Sequence, residues 1–164
     1  MTNAPLEEIY IRPLTLYNAL AITLSDDEAV GILPSVKNIR SIIKKIKACI
    51  SAHQTHDIGQ LIMKTEIVRG ADNQSHYLTT YMQQVNGFIN DVDSPFKMHE
   101  KIIIENCLYT GFIGQNSNLL SRFLEMQSLA KKQGLSMTNE IYMLFNTDDN
   151  GEDIIAADIF IPVE

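Results

Sequence analysis

The sequence predicts an α+β fold, in which an antiparallel sheet carries helices on one face and is built from two pseudo-symmetric strand-helix-strand-strand repeats. Three observations predict it. Val36, Ile39, Ile43, Ile46, Ile50 and His53 recur at spacings of three and four, and a second stripe of Leu120, Phe123, Leu124, Met126 and Ala130 does the same. The segments around these stripes alternate in polarity or are rich in Ile, Val, Thr and Tyr, which suits strands. The order of elements also repeats, once over about residues 6–90 and again over about 96–164, within a single domain of 1–164.

Taken in order, Ile9 to Leu24 reads as a strand that Pro13 must interrupt or bulge, because proline cannot donate to a ladder. Ser25 to Pro34 is a polar linker, and Ser35 offers an N-cap to the first helix. Lys37, Arg40, Lys44, Lys45 and Lys47 cover much of that helix's remaining surface, as solvent-facing charge on an amphipathic helix does. Gln60 to Arg69 alternates Leu61, Met63, Thr65 and Ile67 against Ile62, Lys64, Glu66 and Val68. With His76 to Val85 it forms a hairpin across the turn-like Gly70 to Ser75. Gly87 to Pro95 is the connection between repeats.

The second repeat opens with a strand at Lys101 to Tyr109, centred on Ile102-Ile103-Ile104. Asn116 or Ser117 can cap the next helix, Lys131 and Lys132 suit its negative C-terminal end, and Gly134 stops it. Asn139 to Phe145 and Ile154 to Ile161 then make a hairpin around Asp149-Asn150-Gly151. Leu16-Tyr17-Asn18-Ala19 and Leu108-Tyr109-Thr110-Gly111 share a Leu-Tyr pair at the matching place in each repeat.

Bulk properties narrow the function. A net charge of -7 weighs against a nucleic-acid binder, whose footprint is a basic patch, and leaves room for a cationic small molecule or a basic protein. Cys49 and Cys107 share no metal-type spacing and sit in apolar stretches, so they read as reduced, buried thiols of a cytoplasmic protein. No apolar run reaches the ~20 residues of a membrane span, and Met1 to Pro5 has no signal-peptide pattern. His53 and His56 lack further convergent ligands, with His76 and His99 elsewhere, so no metal or cofactor is expected. Asn146, Asp148, Asn150 and Gly151 imitate the start of a calcium loop, but Ala157 stands where its closing glutamate belongs. No glycine spacing forms a phosphate loop, and no nucleophile sits in an elbow.

Tyr109-Thr110-Gly111, Asn118-Leu119-Leu120, Glu140-Ile141-Tyr142 and the closing Phe160-Ile161-Pro162-Val163 together resemble the GyrI-like effector-binding domain family. The likeness is firmest from about residue 100 onward and rests on element order before that. It implies two strand-helix-strand-strand repeats with a ligand groove between them, which binds amphipathic and often cationic molecules. It also implies that Glu140, which matches the family's groove carboxylate, meets the ligand's positive charge. No helix-turn-helix segment is recognisable and there is no tryptophan. The first half also carries longer insertions around Ser25 to Pro34 and Gly87 to Pro95, and the chain resembles the family's stand-alone branch from Gram-positive bacteria, some of whose genes lie near type VII secretion clusters.

Glu140 and Tyr142 lie two apart on a strand and so share a face, with Ile141, Met143 and Phe145 on the other. A carboxylate there is costly to desolvate without a counter-charge, which a ligand cation stacked near Tyr142 would supply; the competing reading is that Glu140 pairs with a lysine or meets water at the sheet surface. Tyr77 and Tyr81, which share a face with Thr79, are the first candidates to join Glu140, and Tyr10, Tyr17 and Tyr109 are further candidates for the groove wall, although core or edge packing is the stronger reading for each taken singly. The leading expectation is a non-enzymatic ligand-binding module. The rival is a protein-interaction or accessory factor that uses the lysine face and the acidic tip Asp148 to Asp153. A third reading is a hydrolase with Glu140 as base, burial raising its pKa toward a useful range.

Overall fold

The computed structural model describes residues 9–24, 36–146 and 154–164. Among them, six strands and two helices follow in the order β1 (Tyr10–Thr23), α1 (Val36–Ala52), β2 (Asp57–Arg69), β3 (Ser75–Val85), β4 (Phe96–Gln115), α2 (Leu119–Lys132), β5 (Glu140–Phe145) and β6 (Ile154–Pro162). The strands close into an antiparallel ring in the order β1-β3-β2-β5-β6-β4. The expected α+β class and antiparallel pairing are present. The ring's pairing order is unchanged when β1, β2 and β3 are exchanged for β4, β5 and β6.

Strand alternation gives each strand two faces, and each face contributes to a buried core, although much of β4 and the start of β1 stay exposed. One face packs under the helices. Leu20, Ile22, Leu61, Met63, Tyr81, Leu108, Ile155, Ala157, Ile159 and Ile161 meet Ile42, Ile46 and Ile50 of α1 and Leu119, Phe123, Met126 and Ala130 of α2. The other face forms a smaller inner core with contributions from all six strands: Leu14, Leu16, Ala19, Ala21, Ile62, Met82, Cys107, Tyr142, Leu144 and Phe160, with Tyr109 packed against it.

Three irregularities keep these faces in phase. The β1–β4 register shifts between Arg12 and Leu14, the bulge that Pro13 requires. Asn18, in the left-handed region at φ 47, breaks the alternation of β1, so that Leu14 and Leu16 and then Ala19 and Ala21 all point inward. Asparagine tolerates that conformation better than most residues. In β2, Gly59 at φ 72 accompanies the shift between Ile58 and Leu61. The buried Gln83 side chain donates to the Ile58 carbonyl (3.0 Å) and the Gly59 carbonyl (3.3 Å), so the bulged backbone keeps hydrogen-bond partners.

Several sequence expectations shift. On α1 the buried stripe is Ile42, Ile46 and Ile50. Ile39 and Ile43 lie at its margin and His53 is exposed, because the helix turns the line through Ile42, Ile46 and Ile50 toward the core and the other positions flank it. The Val36 and Lys37 side chains, the Ser35 cap and the Asp149-Asn150-Gly151 turn lie outside the described residues. On α2, Leu120 and Leu124 face solvent, while Leu119 takes the buried place. A single 3-10 turn at Asn116–Asn118 leads into α2, whose first turn has no side-chain cap. Gly134, at φ 68, ends α2 as expected. β4 runs far past Tyr109, through Gly111 and Gly114, because it pairs with β1 on one side and β6 on the other. Arg122 of α2 is buried and ties the helix to β4 by donating to Thr110 Oγ1 at 2.6 Å.

Ile46, 2% exposed in the centre of the helix-facing core, should lose about 2–5 kcal/mol of stability on Ile46→Ala, whereas exposed Lys44→Ala should stay within about 0.5 kcal/mol. Urea unfolding of both variants checks the contrast. Burial pushes the Cys107 thiol from 9.0 up to about 11 and the Tyr81 hydroxyl from 10.0 up to about 12. Both groups keep their protons longer when folded. Their contribution is therefore whole below pH 9, is lost as pH climbs through those raised values, and should appear as a falling urea midpoint above pH 9 that Tyr81→Phe makes shallower.

Candidate functional site

The pairing of β2 with β5 sets Glu66 opposite Glu140 and Lys64 opposite Tyr142. Tyr142 lies opposite Phe160 on β6, and Phe160 lies opposite Tyr109 on β4. Alternation puts all of these on the inner face, so Tyr142, Phe160 and Tyr109 hold neighbouring positions across β5, β6 and β4. Ile141, Met143 and Phe145 turn to the helices, as expected.

Two carboxylates directly opposite each other repel. Lys64 bridges them, with Nζ 3.4 Å from Glu140 and 3.9 Å from Glu66. Coulomb attraction falls only inversely with distance, so the lysine is held about equally by both. The three charged side chains are 22% to 27% exposed, so water screens them only in part. One positive charge against two negative ones leaves this corner net negative. Lys64 Nζ also stands 5.7 Å from the centre of the Tyr142 ring, near the outer limit of a cation–π contact.

The far end of the aromatic row has its own polar cluster. Tyr109 and Phe160 are 4.9 Å apart in a tilted arrangement. The Tyr109 hydroxyl donates to Asp158 Oδ1 at 2.7 Å, and Gln60 Nε2 donates to Asp158 Oδ2 at 3.2 Å and also to Asn146. The Arg12 guanidinium lies 4.4 Å from the Tyr109 ring centre. The row Tyr142–Phe160–Tyr109 thus has a cation at each end, Lys64 and Arg12, and carboxylates beside it, Glu140 and Asp158. The Tyr142 hydroxyl is driven well above the ordinary tyrosine range, first by burial and then by the charges of Glu140 and Glu66, so it stays neutral and serves as a donor.

Of the residues the sequence singles out, the structure brings together Glu140, Tyr142 and Tyr109. It places the others elsewhere. Tyr81 is buried under the helices, and Tyr77, four residues earlier on the same regular strand, shares that side. Tyr17 is 53% exposed on the outer side of β1, beside Lys101 Nζ at 5.6 Å. The period-two pattern aligns Tyr77 with Tyr81 but cannot say which face meets the helices. Lys64, Glu66, Asp158, Arg12 and Phe160 were not anticipated as site residues. Lys64 and Glu66 do share a sequence face, and only the partner strand gives that face its meaning.

A concavity of about 460 Å³ lies on the helix side between α1 and the β3–β4 connection, with Cys49, His53, Asp93 and Phe96 among its walls. Burial and the nearby Asp93 charge both push the Cys49 thiol up, which disfavours the thiolate a nucleophile needs. Among the described residues no group of His, Cys, Asp and Glu could hold a metal ion, and no helix is long and apolar enough to cross a membrane.

The fold has known relatives. The EcmrR C-terminal domain superposes with a TM-score of 0.66 at 11% identity, covering 97% of this chain and 98% of that one. EcmrR in an EcmrR–DNA complex gives 0.67 at 13% identity, with 99% of this chain matching 59% of EcmrR. A hydrolase from Listeria innocua gives 0.59 at 15% identity, covering 99% and 94%. No protein-family model and no curated protein matches the sequence. At these identities the likeness establishes a shared architecture.

Glu140→Gln removes one of the two charges that hold the Tyr142 proton in place, so the Tyr142 phenol should titrate at lower pH in that variant. Absorbance titration of wild type and variant, each with a Tyr142→Phe control, checks the direction.

Proposed function

We propose that this chain forms a small-molecule-binding module of the GyrI-like kind, built from two repeats and taking an amphipathic cation on the inner face of its ring. Glu140 and Tyr142 are the recognition pair, and Phe160 and Tyr109 extend the aromatic wall. One observation carries the reading. Glu66 and Glu140 face each other with Lys64 between them, so a partly desolvated corner beside an aromatic ring retains an excess negative charge. A ligand cation supplies what that corner lacks, adding cation–π attraction of about 0.5–2 kcal/mol. The residues that resemble the GyrI-like family support an effector-binding role, the fold shared with the EcmrR C-terminal domain is consistent with that architecture, and the net charge of -7 favours a cationic partner over nucleic acid.

The interaction-factor reading draws on the exposed Arg40, Lys44, Lys45 and Lys47 of α1. Its acidic counterpart, Asp148 to Asp153, lies outside the described residues. A hydrolytic role for Glu140 has less support, because its carboxylate is engaged by Lys64 and the likeness to a Listeria innocua hydrolase is one of fold.

A panel of lipophilic quaternary ammonium and phosphonium salts, followed by thermal shift and calorimetry, tests the proposal. At least one member should bind, and Glu140→Gln should weaken it by about tenfold, or about 1.4 kcal/mol. Binding that is indifferent to Glu140→Gln would remove this site. Turnover of an ester panel that collapses in the same variant would favour the hydrolase instead.

A further inference from the structure

Resting on the ligand-binding reading above, we infer that Lys64 is the site's resident counter-ion: in the free protein it occupies the position a ligand's cationic centre takes, and binding transfers it to Glu66. Lys64 Nζ already makes both contacts assigned to the ligand, 3.4 Å from Glu140 and within 5.7 Å of the Tyr142 ring centre. A ligand cation cannot sit over Tyr142 and against Glu140 while the ammonium stays there. Displacement is easy because the second carboxylate is already within reach: Glu66 is 3.9 Å from the same nitrogen, and a lysine's four-carbon stem can pivot over so short a path.

The exchange also improves the charge balance. Before binding, one cation serves two carboxylates that strand pairing holds opposite each other. After binding, each carboxylate has its own. The ligand can settle closer over the ring than Lys64 does, since the lysine's stem is anchored on the neighbouring strand and holds its nitrogen near the limit of useful cation–π distance. The site should therefore select monocations with an apolar body, and reject anions and small hydrated cations that lack the aromatic contact. Glu66 acts here as a positioning residue that receives the lysine.

The test uses the full chain and the same panel of quaternary ammonium and phosphonium salts, with Lys64→Met keeping most of the apolar stem. Removing the competitor should tighten binding by about tenfold. Glu66→Gln should weaken binding in the wild-type background, by leaving Lys64 on Glu140, and have a distinctly smaller effect in the Lys64→Met background. If Lys64→Met binds no tighter while Glu140→Gln still weakens the wild type, the site stands and the displacement is wrong. If neither wild type nor Lys64→Met binds any member, the ligand-binding reading itself falls. Should Lys64→Met fold poorly, NMR of the methylated wild-type lysines gives the answer directly. The Lys64 methyl resonance should move at saturating cation, and a resonance that stays fixed overturns the transfer.

Discussion

Pairing of β2 with β5 is the contact on which the rest of this structure turns. It joins the two strand triplets on one side of the ring, while β1 and β4 join them on the other. Its register puts Glu66 against Glu140, so the contact that completes the ring also creates a like-charge pair. Such a pair is unfavourable unless a counter-charge lies between, and Lys64 provides it from within the same five-residue ladder. Structural closure and local charge imbalance therefore have a single origin.

Two cores, one on each side of the strands, follow from that closure. A half-exposed antiparallel sheet would alternate apolar and polar side chains and leave the polar ones in water. Here the helices cover one face and the ring closes over the other, so even inward-pointing polar groups lose much of their solvent. The consequences show in the chemistry of the inner face: the Cys107 thiol and Tyr142 hydroxyl are both held in their neutral forms. Asp158 survives there because Tyr109 and Gln60 both donate to it. Irregular residues make this two-sided burial possible. Without the left-handed Asn18, the β1 residues beyond it would present the wrong side to each core.

The inner face and the helix-side cleft differ in what they can recognise. The cleft sets Cys49, with its thiol held protonated, beside His53, Lys45, Asp93 and Phe96. The inner face has three neighbouring aromatic residues and a net negative corner, and its own Lys64 and Arg12 already stack near the two end tyrosines. Those intramolecular contacts are a measure of what the surface attracts, made by the protein's own cations.

Much of this was legible in the residues alone. Helix periodicity located α1 and α2, Pro13 marked a bulge, Gly134 marked a helix end, and alternation put Glu140 and Tyr142 on one face and Ile141, Met143 and Phe145 on the other. These are local properties, dictated by backbone sterics and side-chain periods of 3.6 and 2. Which face became the inner one, and who stood across from whom, were not local. Tyr77, Tyr81 and Tyr17 matched Tyr142 in type and strand setting, yet the ring turned them toward the helices or the outside. Lys64 and Glu66 were ordinary strand residues until β5 came to lie beside them. Period-two alternation says only that residues share a side, while the side's environment depends on strands eighty residues apart finding their register, and that information resides in the assembled ring.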